Sequence, residues 1–286
     1  MADNHERLES GFAPDLLAER CALVTGGGTG IGRATALALA GAGARVAVLG
    51  RREAPLRETA AAIEAGGGDA LALPADIREP ATVTAALEQI RAAWGRLDVL
   101  VNNAGGQYVA DARDITVKGF EAVVRNNLVG TWCVTRLVAD AFMLEHGGRI
   151  VCVTAAVRSG MGGFSHTAAA RGGVVALAKS LAFEWATHGI LINCVAPGTI
   201  KTDAMGQYPI PPEHWHRFNR NLLGRMGEPR DVADLIVFLA SPLAGFITGE
   251  EIYVDGGETL HLAHDARDMI DAGMFAARKR ADERTS

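Results

Sequence analysis

Two groups of residues have types and spacings that suit chemistry on their own. The first is Thr25-Gly26-Gly27-Gly28-Thr29-Gly30-Ile31-Gly32, which follows the apolar run CALVT and opens a helical pattern. A pyrophosphate needs backbone N–H donors at close range and the positive end of a helix. Glycine permits the tight turn and the close approach. In this strand–turn–helix context a dinucleotide is the expected ligand, with Gly26, Thr29, Gly30 and Ile31 as contacts; the competing reading is a glycine-rich turn with no ligand. The second group is Arg51-Arg52, directly after Leu49-Gly50. An acidic residue at the end of the second strand would bind the ribose 2′-hydroxyl, whereas arginine accommodates a 2′-phosphate. The expected cofactor is therefore NADPH (NADP), and the alternative is a pair of solvated charges at a helix start.

These residues need elements to position them. Seven short apolar runs, 21–26, 45–50, 69–77, 97–105, 149–155, 191–198 and 250–257, alternate with helical patterns at 30–43, 53–65, 80–94, 118–145, 167–188 and 229–240. The runs are apolar almost continuously, as in parallel strands covered on both faces. The expectation is an α/β protein: one Rossmann-type, doubly wound parallel sheet of about seven strands in a single domain spanning 1–286. The interval 203–228, with YPIPPEHWHRF, breaks the rhythm and is read as an insertion covering the ligand crevice. Residues 258–286 read as a peripheral tail, helical near 265–281.

Composition narrows the class. The chain has 286 residues, 49% hydrophobic and 21% charged, with a net charge of −5, so it shows no basic footprint for nucleic acid. No apolar run approaches a membrane span, and the polar N-terminus MADNHERLESG lacks a secretory pattern. A cytoplasmic location is expected. Cys21, Cys133, Cys152 and Cys194 are far apart and read as reduced thiols, not metal ligands or disulfides.

Over residues 18–257 the sequence resembles the short-chain dehydrogenase/reductase family. The resemblance rests on Thr25–Gly32, Asp76-Ile77, Asn102-Asn103-Ala104-Gly105, Asn127-Leu128-Val129-Gly130, Pro197-Gly198 and Ile247-Thr248-Gly249 with Val254–Gly257, all in the family's order. It implies adenine contact at Asp76 and Ile77. It implies cofactor contacts at Asn103, Ala104 and Gly105, and at Pro197, Gly198, Ile200 and Thr202 around the nicotinamide. It also implies a homotetramer; Trp132, Leu137, Phe142, Leu177, Leu181 and Trp185 recur at helical spacing on the two long helices, which fits either core or interface.

The departure lies at the catalytic centre. The family's Tyr-x-x-x-Lys pair aligns with Thr167 and Arg171, its serine with Thr154, and its helix asparagine with Asn127. This pattern resembles the branch of peroxisomal trans-2-enoyl-CoA reductases and 2,4-dienoyl-CoA reductases. Carbonyl reduction makes an alkoxide that needs an acid of matched pKa, which threonine is not. Reduction of a conjugated thioester places charge on the thioester oxygen, which needs hydrogen-bond donors instead. Thr154 and Thr167 are such donors, and Arg171 suits the nicotinamide ribose. The expected activity is NADPH-dependent reduction of the C=C bond of a 2-enoyl-CoA or dienoyl-CoA, with an acyl-CoA as the small-molecule partner. The alternatives are an alcohol dehydrogenase or carbonyl reductase using another proton donor, His166 or Tyr108, and an NADP-binding protein without turnover. Each residue also has a plainer role: Thr167 as a small buried polar group, Asn127 as a carbonyl partner at a helix kink, His166 as a satisfied helix-entry histidine, Tyr108 as packing. Arg217, Arg220, Arg225 and Arg230 are candidates for CoA phosphate contact or simple surface charge.

Overall fold

The computed structural model describes residues 12–207 and 221–260. Seven strands form one parallel sheet: β1 Cys21–Thr25, β2 Arg45–Gly50, β3 Ala70–Pro74, β4 Val99–Asn102, β5 Gly148–Val153, β6 Ile190–Pro197 and β7 Glu251–Val254. Their spatial order is β3-β2-β1-β4-β5-β6-β7. The helices are α1 Gly30–Gly41, α2 Glu53–Ala65, α3 Pro80–Trp94, α4 Val117–Val124, α5 Gly130–Val138, α6 Leu144–His146, α7 Ser165–Trp185 and α8 Pro229–Ala240.

Continuous apolar strands have this outcome because both faces are covered. Ala22 and Val24 of β1 join the core with α1, α2 and α8, while Cys21 and Leu23 join the core with α3, α5 and α7. Alternate residues of one strand thus feed opposite layers. Cys21, Cys152 and Cys194 are buried free thiols and Cys133 is half-buried.

The chain leaves β3 at one edge and resumes at β4, on the other side of β1. That reversal opens a crevice at the carboxyl ends of β1 and β4, where ligands of such sheets bind. Three strands stop three residues short of the expected limits: β3 at Pro74, β4 at Asn102 and β7 at Val254. The residues beyond, Asp76-Ile77, Asn103–Gly105 and Asp255–Gly257, turn out of the sheet and are freed to line its carboxyl edge.

The long helix expected at 118–145 runs from Val117 to His146, with π-type stretches at Arg125–Val129 and Ala139–Met143. In the first, the Asn127 side-chain amide donates to the Val123 carbonyl at 2.8 Å. That side-chain bond occupies the carbonyl where the ladder shifts to wider spacing. Of the 203–228 insertion, Asp203–Gln207 forms a 3-10 turn. The YPIPPEHWHRF segment and the expected tail helix lie outside the described residues. No described helix is long and apolar enough to cross a membrane.

Candidate active site

The site assembles from loops at the carboxyl edge. Gly26 and Gly30 adopt φ of +67° and +55°, which side chains rarely tolerate. A Cβ on Gly32 would strike the Gly26 carbonyl and come within 2.5 Å of Asn103 Nδ2. These glycines let β1 turn sharply into α1, whose first turn carries no acidic side chain. Its N-terminal amides therefore face the crevice without a competing carboxylate. Thr29 and Ile31 lie on this turn, both half-buried.

Thr25 ties the turn to β4. Its Oγ1 accepts the backbone N–H groups of Asn103 and Ala104, each at 3.0 Å. Asn103 Nδ2 returns to the carbonyls of Thr25 at 3.0 Å and Gly26 at 3.3 Å. The opposite wall is the segment after β6. Gly198 donates its N–H to Val254 O at 3.1 Å, and Ile200 is buried in an isolated bridge to Gly227. A Cβ on Gly30 would meet Thr202 Cγ2 at 3.4 Å, so this segment lies across from the helix start.

At the end of β2, Arg51 and Arg52 are exposed. Among the described residues neither forms a salt bridge, whereas Arg57 pairs with Glu53 at 2.5 Å. Asp76 is gripped by Arg78 through Nε at 2.9 Å and Nη2 at 2.5 Å, with the Arg78 N–H at 3.0 Å. Chiefly through that side-chain bond, its carboxyl is held down to about 2. Ile77 is buried against Gly130, whose missing side chain makes the room.

Of the residues aligned with the family's catalytic set, Asn127 and Arg171 meet at Gly105. Asn127 is fully buried; its Nδ2 donates to Gly106 O at 2.8 Å and its Oδ1 accepts Gly106 N–H at 3.3 Å. Arg171 is 8% exposed and donates Nη1–H to Val153 O at 2.8 Å. A Cβ on Gly105 would collide with Arg171 Nη2 and lie 2.5 Å from Asn127 Oδ1. Gly105 is thus the gap through which the guanidinium reaches the crevice. No carboxylate of the described residues pairs with Arg171, and burial pushes its cation down to about 10.

The two threonines are placed as aligned, but their hydroxyls are turned to protein acceptors. Thr154 Oγ1 donates to Val195 O at 3.1 Å. Thr167 is fully buried, its N–H bonded to His166 Nδ1 at 2.8 Å and its Oγ1 3.3 Å from the same nitrogen. Strand and helix packing thus supply both hydroxyls with local partners that no spacing rule reveals. His166 is itself fully buried, with its ring edge-to-face against Tyr108 at 4.4 Å between centroids.

Of the two readings of the arginine rim, the two described members fit surface charge. Arg225 holds Asp231 through two bonds of 2.6 and 2.9 Å, and Arg230 holds Asp234 at 2.5 Å. Both cations are balanced within the chain. Arg217 and Arg220 lie outside the described residues. One positioning residue escaped sequence reasoning: Glu258 accepts the Thr199 N–H at 2.8 Å and its hydroxyl at 3.0 Å. Its partner is 59 residues away, so only its place directly after VDGG hinted at a role.

Residues 26–259 match the family described as Enoyl-(Acyl carrier protein) reductase. A peroxisomal 2,4-dienoyl-CoA reductase [(3E)-enoyl-CoA-producing] of Pongo abelii is 34% identical over 272 residues, covering 93% of each chain. A (2S)-[(R)-hydroxy(phenyl)methyl]succinyl-CoA dehydrogenase subunit of Thauera aromatica is 35% identical, covering 85% of this chain and 98% of that one. Among solved structures, a citronellol catabolism dehydrogenase of Pseudomonas aeruginosa aligns at a TM-score of 0.79 and 39% identity, over 87% of this chain and 98% of that chain.

Proposed function

The chain belongs to the short-chain dehydrogenase/reductase family of NAD(P)-dependent oxidoreductases, and on that premise we propose that it reduces the C=C bond of a 2-enoyl-CoA or dienoyl-CoA thioester with NADPH. The observation that carries this reading is Thr167 in the tyrosine position, buried and bonded to His166, with the carboxylate-free Arg171 one turn on. A threonine hydroxyl does not ionise near neutrality, so the Thr167 position itself holds no acid to protonate an alkoxide. Conjugate reduction needs no such acid at that position, because the charge collects on the thioester oxygen and asks for fixed donors. Two relatives of 34% and 35% identity carry CoA thioesters in their names, which supports the substrate class.

The residues present fit the dinucleotide. The glycine-rich turn, with positive φ at Gly26 and Gly30, leads into an α1 start without acidic side chains, which suits a pyrophosphate held at Gly26, Thr29, Gly30 and Ile31. Arg51 and Arg52 suit the 2′-phosphate, and Asp76 and Ile77 border the adenine side. Asn103, Ala104 and Gly105 floor the crevice, while Pro197, Gly198, Ile200 and Thr202 wall the nicotinamide side. When bound, NADPH would supply the hydride, to the β-carbon of a 2-enoyl thioester or the δ-carbon of a 2,4-dienoyl one. Arg171 holds the nicotinamide ribose and keeps positive charge beside the reacting face. Asn127 locks Gly106 and the π-type turn, which holds the loop after β4 in place.

The 39% identity to a citronellol catabolism dehydrogenase favours a second reading, oxidation or reduction at a terpenoid alcohol or carbonyl. NADPH consumption with 2-enoyl-CoA esters of several chain lengths, beside 3-ketoacyl-CoA and terpenoid alcohols with NADP, separates the two. Turnover of the alcohols or ketones with none of the enoyl thioesters would overturn C=C reduction. A homotetramer is part of the same proposal. Phe183 (88% exposed), Val117 (75%) and Trp132 (38%) leave apolar surface on α7, α4 and α5 for a second copy. A monomer mass in sedimentation at micromolar concentration would remove that part.

A further inference from the structure

Among the described residues, four buried side-chain polar atoms have no hydrogen-bond partner: Thr35 Oγ1, Arg149 Nε, His166 Nε2 and Glu251 Oε1. Thr35 lies within α1, and Arg149 and Glu251 lie near the amino ends of β5 and β7, away from the crevice. Only His166 stands at the carboxyl edge, in the first turn of α7 beside Thr167. A buried donor left unmade costs about 1–3 kcal/mol, so an orphan of this kind calls for a partner that arrives later.

The ring's bonding identifies which atom is free. Nδ1 accepts the Thr167 N–H at 2.8 Å, so in the neutral imidazole the proton is assigned to Nε2. The neighbouring hydroxyls are not available in the same way, since Thr154 donates to Val195 O and Thr167 Oγ1 sits against Nδ1. The Tyr108 ring packs edge-to-face on the imidazole, yet it is 39% exposed and lies on the irregular loop after β4. Its hydroxyl lies against Gly119, the first-turn glycine of α4. Tyr108 is thus a part-exposed side chain packed directly on the buried imidazole.

We propose that His166 is a catalytic residue of the thioester reduction: its Nε2–H donates a hydrogen bond to the thioester carbonyl oxygen once the acyl group displaces the Tyr108 ring. This rests on the C=C reading above. The β-carbon gains a hydride, with both electrons, from the reduced dinucleotide. The C=C pair moves to form the enolate, with the negative charge on the thioester oxygen facing Nε2–H. The α-carbon then takes one proton from water, leaving the saturated thioester, the oxidised dinucleotide and a hydroxide that solvent buffers. His166 keeps its proton throughout; it stabilises charge and is not consumed.

The test compares the wild-type enzyme with His166→Phe and His166→Gln, using crotonyl-CoA and NADPH. His166→Phe is expected to lower kcat about 10²–10³-fold, the usual effect of losing one oxyanion donor. NADPH affinity, read by fluorescence titration, should stay within about twofold, and His166→Gln, which restores an N–H, should recover part of the lost kcat. A His166→Phe protein that binds NADPH normally and keeps kcat within about threefold of wild type overturns the assignment. If His166→Phe fails to fold, the ¹⁵N–¹H resonance of Nε2 in the wild-type protein replaces it. That signal must shift when butyryl-CoA joins the NADP complex, and an unmoved signal rejects the contact. Absence of wild-type turnover on any enoyl-CoA would instead remove the C=C reading on which the role depends.

Discussion

Replacing Arg171 by Met should make the cofactor-free protein more stable and the cofactor complex weaker. The guanidinium is 8% exposed, has no carboxylate partner among the described residues and reaches one backbone acceptor, Val153 O at 2.8 Å. A cation that titrates near 10 instead of its ordinary 12.5 is about 3 kcal/mol less favourable folded than unfolded. Methionine fills similar volume without charge, but it leaves the Val153 carbonyl short of a donor, a loss of about 1–2 kcal/mol. The net expectation is a gain of about 1–2 kcal/mol, which in a chain of this size raises Tm by about 2–6 °C. The opposite change is expected with ligand. Loss of a charged hydrogen bond to the ribose, about 1.5–3 kcal/mol, weakens NADPH binding about 10–150-fold. Differential scanning fluorimetry with and without NADPH, together with a titration, reads both numbers. A variant that melts several degrees below wild type and binds NADPH equally well would show that Arg171 is a structural cation, and the reasoning would fail.

Further predictions concern the cofactor site and its supports. The double variant Arg51→Ala, Arg52→Ala should raise KM for NADPH at least tenfold while moving KM for NADH less than threefold, as bidentate phosphate contacts are lost; equal changes for both would refute the 2′-phosphate role. Arg78→Ala should destabilise the fold modestly at neutral pH, by less than about 1 kcal/mol for so accessible a pair. Because Asp76 is depressed from 3.8 to about 2 in the folded chain, that contribution is present above pH 3.8 and disappears as pH falls toward 2. Urea unfolding of both proteins across pH 2–7 measures it, and a difference that grows on acidification would contradict the sign. Glu258→Ala should loosen the Pro197–Thr202 segment, which it holds through Thr199. It is expected to raise KM for NADPH severalfold with a smaller change in Tm, checked by steady-state kinetics beside thermal melts.

Much of the scaffold was legible because its signals are local. Continuous apolar runs require a sheet covered on both faces, and the observed β2, α2, α3 and α8 coincide with the runs read from sequence. The turn Thr25–Gly32 was legible for a related reason: positive φ at Gly26 and Gly30, and the collision a side chain on Gly32 would cause, leave glycine no substitute. Strand ends were less legible, since Asp76 and Asp255 directly follow apolar residues and Asn103 follows an asparagine that is still in β4, so no change of residue type marks where the chain leaves the sheet.

The sequence by itself thus determined the order of elements, the glycine-rich turn between β1 and α1 and the placing of Thr167 and Arg171 one helical turn apart. These depend on residue type and spacing along a few turns or strands. Only the tertiary structure decided which donors remain free. Thr154 is occupied by a carbonyl 41 residues away, Arg225 by Asp231, and Thr199 by a carboxylate 59 residues away, while His166 Nε2 is left with no partner. A hydrogen bond is satisfied by whatever the fold brings within about 3 Å, and that neighbour is not encoded in the local pattern of either partner.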